Sequence, residues 1–355
     1  MILVNGSPQG FFASSRGLRQ GDPLSPYLFL LCAEGFSKLL KSASQNGSIQ
    51  GVAAACKGPK LTHLFFADDS MLFCRARRED CNTLVEILDN YEKASGQVVN
   101  TDKSSIMFSS NTSNEDKLTT MNILNVHKHM IHDNYLGLPL LFGRNKKREF
   151  RALKERIGSR IQSWGGKLLS SAGKGLLIQT VAQAILLYVM SCFKLSKGFC
   201  HEINMLMATY WWGDSDSKRR IHWKSWDSLC CSKLDGGLGF KDFESFNLAL
   251  LAKQWWRIMS NEDSVSYKVL KGKYFPNSSP RSVMRRPSSS FLWSSFLEGR
   301  KVFEEGACWR VGDGKQIEVW VDAWLNKPPE YRATKPSQTP TPLKVVALIN
   351  EDNRS

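Results

Sequence analysis

The stretch LTHLFFADDSMLFCRA, residues 61–76, decides how the first half of this chain is read. Two apolar runs are joined by a pair of acids, and aspartate favours turns because its side chain can bond to nearby backbone. The pattern predicts a tight hairpin with Asp68 and Asp69 at its tip. Downstream, Leu84, Ile87, Leu88 and Tyr91 fall on one helical face between Glu79 and Ser95, and Gly96 is placed to end that helix. A strand is expected from Gln97 to Phe108. Upstream, Asp22 can cap a helix and Pro23 suits its first turn, with Leu24, Tyr27, Leu28 and Leu31 continuing at helical spacing. From Met1 to Phe12, ILV, NGSPQG and FF read as strand, turn and strand, since Asn-Gly favours a tight hairpin. The order around residues 61–76 is therefore helix, two strands, helix, strand.

Further along, Phe150, Leu153, Ile157, Ile161 and Trp164 form an apolar stripe, with Lys147, Arg151 and Lys154 on another side. This predicts an amphipathic helix with a basic face. Lys167 to Lys194 predicts a more buried helix and Phe246 to Met259 another, with Asn277 to Ser290 as a loop. Trp309 to Trp320 reads as a hairpin turning at Asp313-Gly314, and Lys327 to Pro342 as a Pro-rich linker. The pattern as a whole is α+β, and no internal repeat is visible.

Lys and Arg outnumber Asp and Glu by 48 to 33 across 355 residues, a surplus that favours a polyanionic partner such as RNA or DNA. An apolar content of 42% is enough for real cores. The nine cysteines include no CxxC pair, which argues against a disulfide framework and for a reducing, intracellular compartment. The run from Leu176 to Leu195 is interrupted by Gln179, Thr180 and Gln183, so it reads as a buried helix rather than a membrane span. Gly173-Lys174-Gly175 lacks the spacing and hydroxyl of a phosphate loop. Cys200, His201, His222, Cys230 and Cys231 lack zinc-finger spacing.

Two adjacent acids on a hairpin suit hard divalent cations such as magnesium, which are bound through carboxylate oxygens. Alone, such a pair is more often just an ordinary turn, since aspartate favours turns anyway. In context, RGLRQGDPLSPYLF (residues 16–29) is followed by FFADD, with Asp68 lying 47 positions after Gly21. These two segments resemble motifs B and C of a reverse transcriptase palm, and the GDPLSP wording is similar to LINE-type (non-LTR) retrotransposons, in a plant-like form. GQVVNTDK (residues 96–103) resembles motif D, and Tyr135-Leu136-Gly137 resembles the primer-proximal passage from palm to thumb. Weaker resemblance to plant LINE-type proteins continues through GGLGFKDFESFNLALLAKQWWRI (236–258) and WRVGDGKQIEVWVDAWL (309–325).

The resemblance implies a partial right-hand palm of ferredoxin-like form, with its first strand missing, over residues 1–110. A palm-to-thumb connection and helical thumb would follow over 111–200, then a Trp-rich, mostly helical region over 201–326 and a Pro-rich linker and tail over 327–355. It implies Asp68 and Asp69 as catalytic metal ligands, with Lys103 as proton donor to pyrophosphate. Arg16, Arg19, Gln20 and Gly21 would face template and incoming nucleotide. The implied partners are an RNA template, a DNA primer and deoxynucleoside triphosphates. The implied cofactor is Mg2+ at a two-metal site, where one ion activates the primer hydroxyl and the other stabilises the leaving group.

In that family a strand preceding motif B carries a further catalytic aspartate. Here the only aspartate before Asp68 is Asp22, beside a proline at a helix start. The expectation is therefore an N-terminally truncated polymerase, inactive or nearly so alone. Two alternatives stay open: a noncatalytic nucleic-acid-binding remnant, and a decayed reading frame whose product does not fold stably. Ancestry implies an intracellular location, nuclear or cytoplasmic.

Overall fold

The computed structural model describes residues 2–10, 21–128, 134–135, 138–139, 146–165, 169–213, 220–325, 333 and 343–349. In chain order it contains β1 (Ile2–Val4), β2 (Ser7–Gln9), α1 (Ser25–Gln45), β3 (Val52–Ala53), β4 (Lys60–Leu61), β5 (His63–Phe66), β6 (Asp69–Leu72), α2 (Arg78–Ser95), α3 (Asn114–Leu124), β7 (Asn134–Tyr135) and β8 (Leu138–Pro139). There follow α4 (Lys146–Gly165), α5 (Ser171–Leu177), α6 (Gln183–Ile185), α7 (Leu187–Cys192), α8 (Lys197–Trp212), α9 (Trp226–Cys230), α10 (Phe243–Ser260), α11 (Val265–Tyr274) and α12 (Phe291–Gly306). The fold is α+β, with its strands in four separate antiparallel pairs among the described residues. Two compact units divide the chain: 1–141 with 262–283, and 142–261 with 284–355.

In the first unit, α1, α2 and the β5–β6 hairpin enclose a core of Phe36, Leu40, Ile49, Leu84 and Ile87. The expected helix over Glu79–Ser95 is present as α2. Glu79 and Asp80 lie in its first turn, where they complement the helix dipole, and Gly96 at φ 71° closes it. α1 starts later than expected. Asp22 Oδ1 accepts from Leu24 N at 2.8 Å and Asp22 O from Ser25 N at 3.1 Å, so Asp22-Pro23 forms a turn ahead of a helix opened by Ser25-Pro26. The apolar positions Leu24, Tyr27, Leu28 and Leu31 face solvent rather than the core.

Three other expectations in this unit are corrected. Asn5 and Gly6, at φ 51° and 82°, make a two-residue turn, so the returning strand is Ser7–Gln9, and Phe11-Phe12 lies outside the described residues. Gln97 to Phe108 is not a strand. Asn100 folds that segment into a turn, its Oδ1 accepting from Lys103 N at 3.0 Å and its carbonyl from Ser104 N at 3.0 Å. This local side-chain bond offers the backbone an alternative to a ladder. The tip of the acidic hairpin is also shifted, as described below.

In the second unit, the predicted stripe is buried along α4: Phe150, Leu153, Ile157, Ile161 and Trp164. All eleven tryptophans of the chain belong to this unit. The helix expected over Lys167–Lys194 is present from Ser171 in pieces, because α5 runs into a π-helical turn at Ile178–Ala182 before α6 and α7. The helix expected over Phe246–Met259 is α10, capped by Asp242, whose Oδ2 accepts from Ser245 N at 2.9 Å. α12 lies so close to α10 that a Cβ on Gly299 would fall 2.4 Å from the carbonyl carbon of Leu251.

The hairpin expected over Trp309–Trp320 does not form. Ile317 O instead accepts from Val345 N at 2.9 Å, and Val319 N donates to Leu343 O at 2.9 Å. Ile317, Val319 and Val345 form a small core, so residues 343–349 are packed structure rather than a tail. Of the Pro-rich segment 327–342, all but Ala333 lies outside the described residues. Among the described residues, no helix is long and apolar enough to cross a membrane.

Candidate active-site hairpin

The β5–β6 register pairs His63 with Leu72, Leu64 with Met71, Phe65 with Ser70 and Phe66 with Asp69. The turn is therefore Ala67-Asp68, and Asp69 is the first residue of β6 rather than a second tip residue. Alternation along a strand then separates the two acids: Asp68 sits in the turn and Asp69 on the ladder. Both are exposed. Ala67 holds a left-handed φ of 50°, a backbone that costs a non-glycine residue about 1–2 kcal/mol. That cost persists only where surrounding structure enforces it.

The enforcement comes from the packing of the strand that enters the turn. The Phe65 ring stacks on Phe36 of α1 at 5.2 Å, and Phe36 stacks on Tyr91 of α2 at 4.5 Å. This aromatic ladder clamps one hairpin face to both helices. His63 adds a polar tie: Nε2 lies 2.9 Å from Ser37 Oγ of α1, and Nδ1 lies 2.9 Å from Thr62 Oγ1. Burial, and then Lys41, lower the His63 pKa, with Glu34 opposing, so the ring is neutral near pH 7. Leu64 and Phe66 point to the opposite face and are exposed.

Beyond β6, Arg75 Nη2 donates to Asp80 Oδ1 at 2.9 Å, and Gln50 N donates to Asp80 Oδ2 at 2.9 Å. Asp80 thus fastens the strand exit and the chain before β3 to the start of α2. The sequence reading passed over Asp80, although a signal was present. It stands on the same helical face as Leu84, Ile87 and Tyr91, where an acid must be paired. Next to it, Cys74 and Cys81 share a thiol hydrogen bond that pushes Cys74 up and draws Cys81 down to about 7, with Thr120 Oγ1 3.7 Å from Cys81 Sγ.

The other expected site residues are placed as follows. Gly21 is exposed at φ 86°, with nothing within 4 Å of where a Cβ would stand. Lys103 is exposed in the Asn100 turn. Tyr135 pairs with Leu138 between β7 and β8. Arg16, Arg19, Gln20, Leu136 and Gly137 lie outside the described residues. Asp68 and Asp69 supply the hard oxygen donors that magnesium prefers. The described residues contain no group of three or more acids, histidines or cysteines placed to hold a metal ion.

The family model for reverse transcriptase (RNA-dependent DNA polymerase) matches residues 1–153. An uncharacterized mitochondrial protein of Arabidopsis thaliana is 43% identical over 145 residues, covering 40% of this chain and 93% of that protein. A putative ribonuclease H protein of the same plant is 33% identical over 195 residues, 54% of this chain and 32% of the relative. An uncharacterized 149 kDa protein of transposon TX1 from Xenopus laevis is 24% identical over 278 residues, 78% of this chain and 20% of that protein. This chain thus spans nearly all of the first relative, about a third of the second and a fifth of the third. The match to the polymerase model across the hairpin and its supporting helices, together with a transposon-encoded relative, identifies this chain as a member of the LINE-type (non-LTR) retrotransposon reverse transcriptase family.

Proposed function

We propose that this chain carries the motif B and motif C portion of an RNA-directed DNA polymerase palm, over about residues 1–110, and that it needs a further carboxylate-bearing strand to polymerise. A helical thumb to about residue 200 and a Trp-rich region to about 326 complete this reading. The observation that carries it is the hairpin: Asp68 is exposed in the turn and Asp69 on the adjoining strand, in a hairpin that the Phe65–Phe36–Tyr91 ladder clamps to two helices. Such a scaffold holds two carboxylates still while leaving them open to metal and substrate. The reaction is nucleotidyl transfer onto a DNA primer over an RNA template.

In this reading Asp68 and Asp69 would hold magnesium, which when bound would supply Lewis-acid activation for nucleotidyl transfer. Arg16, Arg19, Gln20 and Gly21 contact template and incoming nucleotide, Lys103 donates a proton to pyrophosphate, and Tyr135 to Gly137 lie near the primer. A two-metal centre draws carboxylates from separate elements. The exposed faces of α1 (Tyr27, Leu28, Leu31) and β5 (Leu64, Phe66) support the need for a further strand, because a palm buries such surface. The site of action is intracellular, nuclear or cytoplasmic.

Primer extension on an RNA template with magnesium tests the proposal, comparing this chain with the same chain joined to a strand bearing a further aspartate. The joined form extends the primer and Asp68→Ala abolishes extension, whereas this chain alone is inactive or nearly so. Full activity of this chain alone refutes the need for the added strand. A second reading, noncatalytic nucleic-acid binding, is favoured by one observation: Arg151, Arg156 and Arg160 are exposed along α4. RNA binding without extension by either form makes it the better account.

A further inference from the structure

We propose that Trp223 is a stacking platform for a base of single-stranded nucleic acid, held on a pinned segment of the second unit. The proposal rests on the nucleic-acid partner of the reading above and not on catalysis. Tryptophan has more apolar surface to bury than any other side chain, and this unit buries Trp255 and Trp293 almost completely. Trp223 is nevertheless 79% exposed.

Its exposure does not come from a loose chain. One residue before it, His222 stacks on Trp212 at the end of α8, with ring centroids 5.6 Å apart and planes 19° apart. Three residues after it, Trp226 opens α9 and stacks on the buried Phe240 at 5.0 Å and 8°. Between them, Lys224 Nζ donates to Gly236 O at 3.3 Å, which ties the segment to the loop over residues 232–237. The backbone is therefore fixed on both sides of Trp223 while the indole is left in solvent. That is the arrangement a platform requires, because a pre-positioned ring gives up little freedom when a base stacks on it.

The surrounding charge selects the occupant. Among the described residues, Arg220 and Lys224 lie within three positions of Trp223 in the chain. Where α8 ends at Gly213, the Lys174 ammonium and the Arg220 guanidinium converge on the same spot. Helix carbonyls point out there and favour cations. A polyanion with flat, stackable faces is complementary to an indole among lysines and arginines, and proteins that bind single strands combine these two elements. An apolar protein partner would have to desolvate the same cations, and an acidic one would have no use for the indole. Trp255 and Trp293 thus serve the core, whereas Trp223 stands in solvent.

The test is fluorescence anisotropy of the full chain with a labelled oligothymidylate and with an abasic oligomer of equal length and charge. Trp223→Ala weakens binding of the base-bearing strand by about tenfold and leaves the abasic strand unaffected. Trp223→Phe keeps most of the affinity, since a smaller ring still stacks, and the dependence on salt is the same in all three proteins because no phosphate contact is lost. No loss with Trp223→Ala, an equal loss on both oligomers, or no binding by the unaltered chain each overturns the proposal. An unchanged thermal midpoint for both variants shows that the change is in the surface and not the fold. Base-dependent binding through Trp223 in a protein that fails primer extension even with the added strand refutes the catalytic reading alone.

Discussion

Removing the Asp80 carboxylate tests the claim that the acidic hairpin is fixed from behind. Asp80 is fully buried and accepts three hydrogen bonds, from Arg75 Nη2 at 2.9 Å, Arg75 Nε at 3.3 Å and Gln50 N at 2.9 Å. Breaking a buried ion pair from one side typically costs about 3–5 kcal/mol. Here the Arg75 side chain is 37% exposed and can recover water once released, which removes much of that penalty. What remains is an unpaired Gln50 N–H, about 1–3 kcal/mol, and a lost acid in the first turn of α2, about 0.3–1 kcal/mol. Asp80→Ala should therefore destabilise the first unit by about 1–4 kcal/mol, and Asp80→Asn by roughly half of that, because the amide oxygen still accepts from Gln50. Hydrogen exchange read by mass spectrometry over residues 61–95 is the direct assay. Each 1.4 kcal/mol is about tenfold in the opening equilibrium, so protection should fall roughly 10- to 1000-fold in the alanine variant. A change under about threefold would mean that Asp80 does not hold the strand exit, and the account of a fixed hairpin would fail with it.

Glycine substitutions separate close packing from open helix surface within the second unit. Gly299→Ala drives a methyl into the α10 backbone at Leu251 and Ala252, which should outweigh the roughly 1 kcal/mol gained in helix propensity and leave a net loss of about 1–2 kcal/mol. Gly158→Ala on α4 meets nothing within 4 Å and should stabilise by up to about 1 kcal/mol. Urea unfolding followed by tryptophan fluorescence reads both, and the same sign for the two would contradict the helix contact. The depressed pKa of His63 means the folded state prefers the neutral ring, so its contribution is present above the unfolded value and is lost as pH falls below about 6.5. His63→Gln should flatten that part of the stability profile of the first unit; an unaltered profile would remove His63 as its source. Burial pushes Cys230 up to about 12 and Cys200 up to about 11, whereas the adjacent Cys231 is exposed. Brief alkylation at pH 8 should label Cys231 and spare Cys230 and Cys200, and equal labelling of Cys230 and Cys231 would refute the packing around α9.

Among the described residues, every strand ladder is only two strands wide. Because β5–β6 is a two-stranded sheet among the described residues, its outer edges and the exposed Leu64 and Phe66 are free to pair with a further strand. The catalytic proposal and the exposed half of α1 thus have one physical origin, an apolar surface that the described residues do not cover.

What the sequence determined by itself was local. The apolar stripe of α4, the span of α2 and its Gly96 stop, the Asn5-Gly6 turn and the acidic hairpin each follow from residues a few positions apart, where periodicity and turn chemistry act directly. Motif wording placed Asp68 and Asp69 in their family before any fold was known. Only the tertiary structure decided the rest. Residues 97–108 have strand composition but lose to an Asn100 turn, and Ile317 and Val319 pair with 343–345 rather than with their neighbours. Asp80 reads as an ordinary first-turn acid until Gln50, 30 positions away, donates to it. Trp223 and Trp255 are the same residue type on the same unit, yet one is in solvent and the other in the core. Burial is set by which distant surfaces meet, and the free energy of that meeting is not carried by any single stretch of chain.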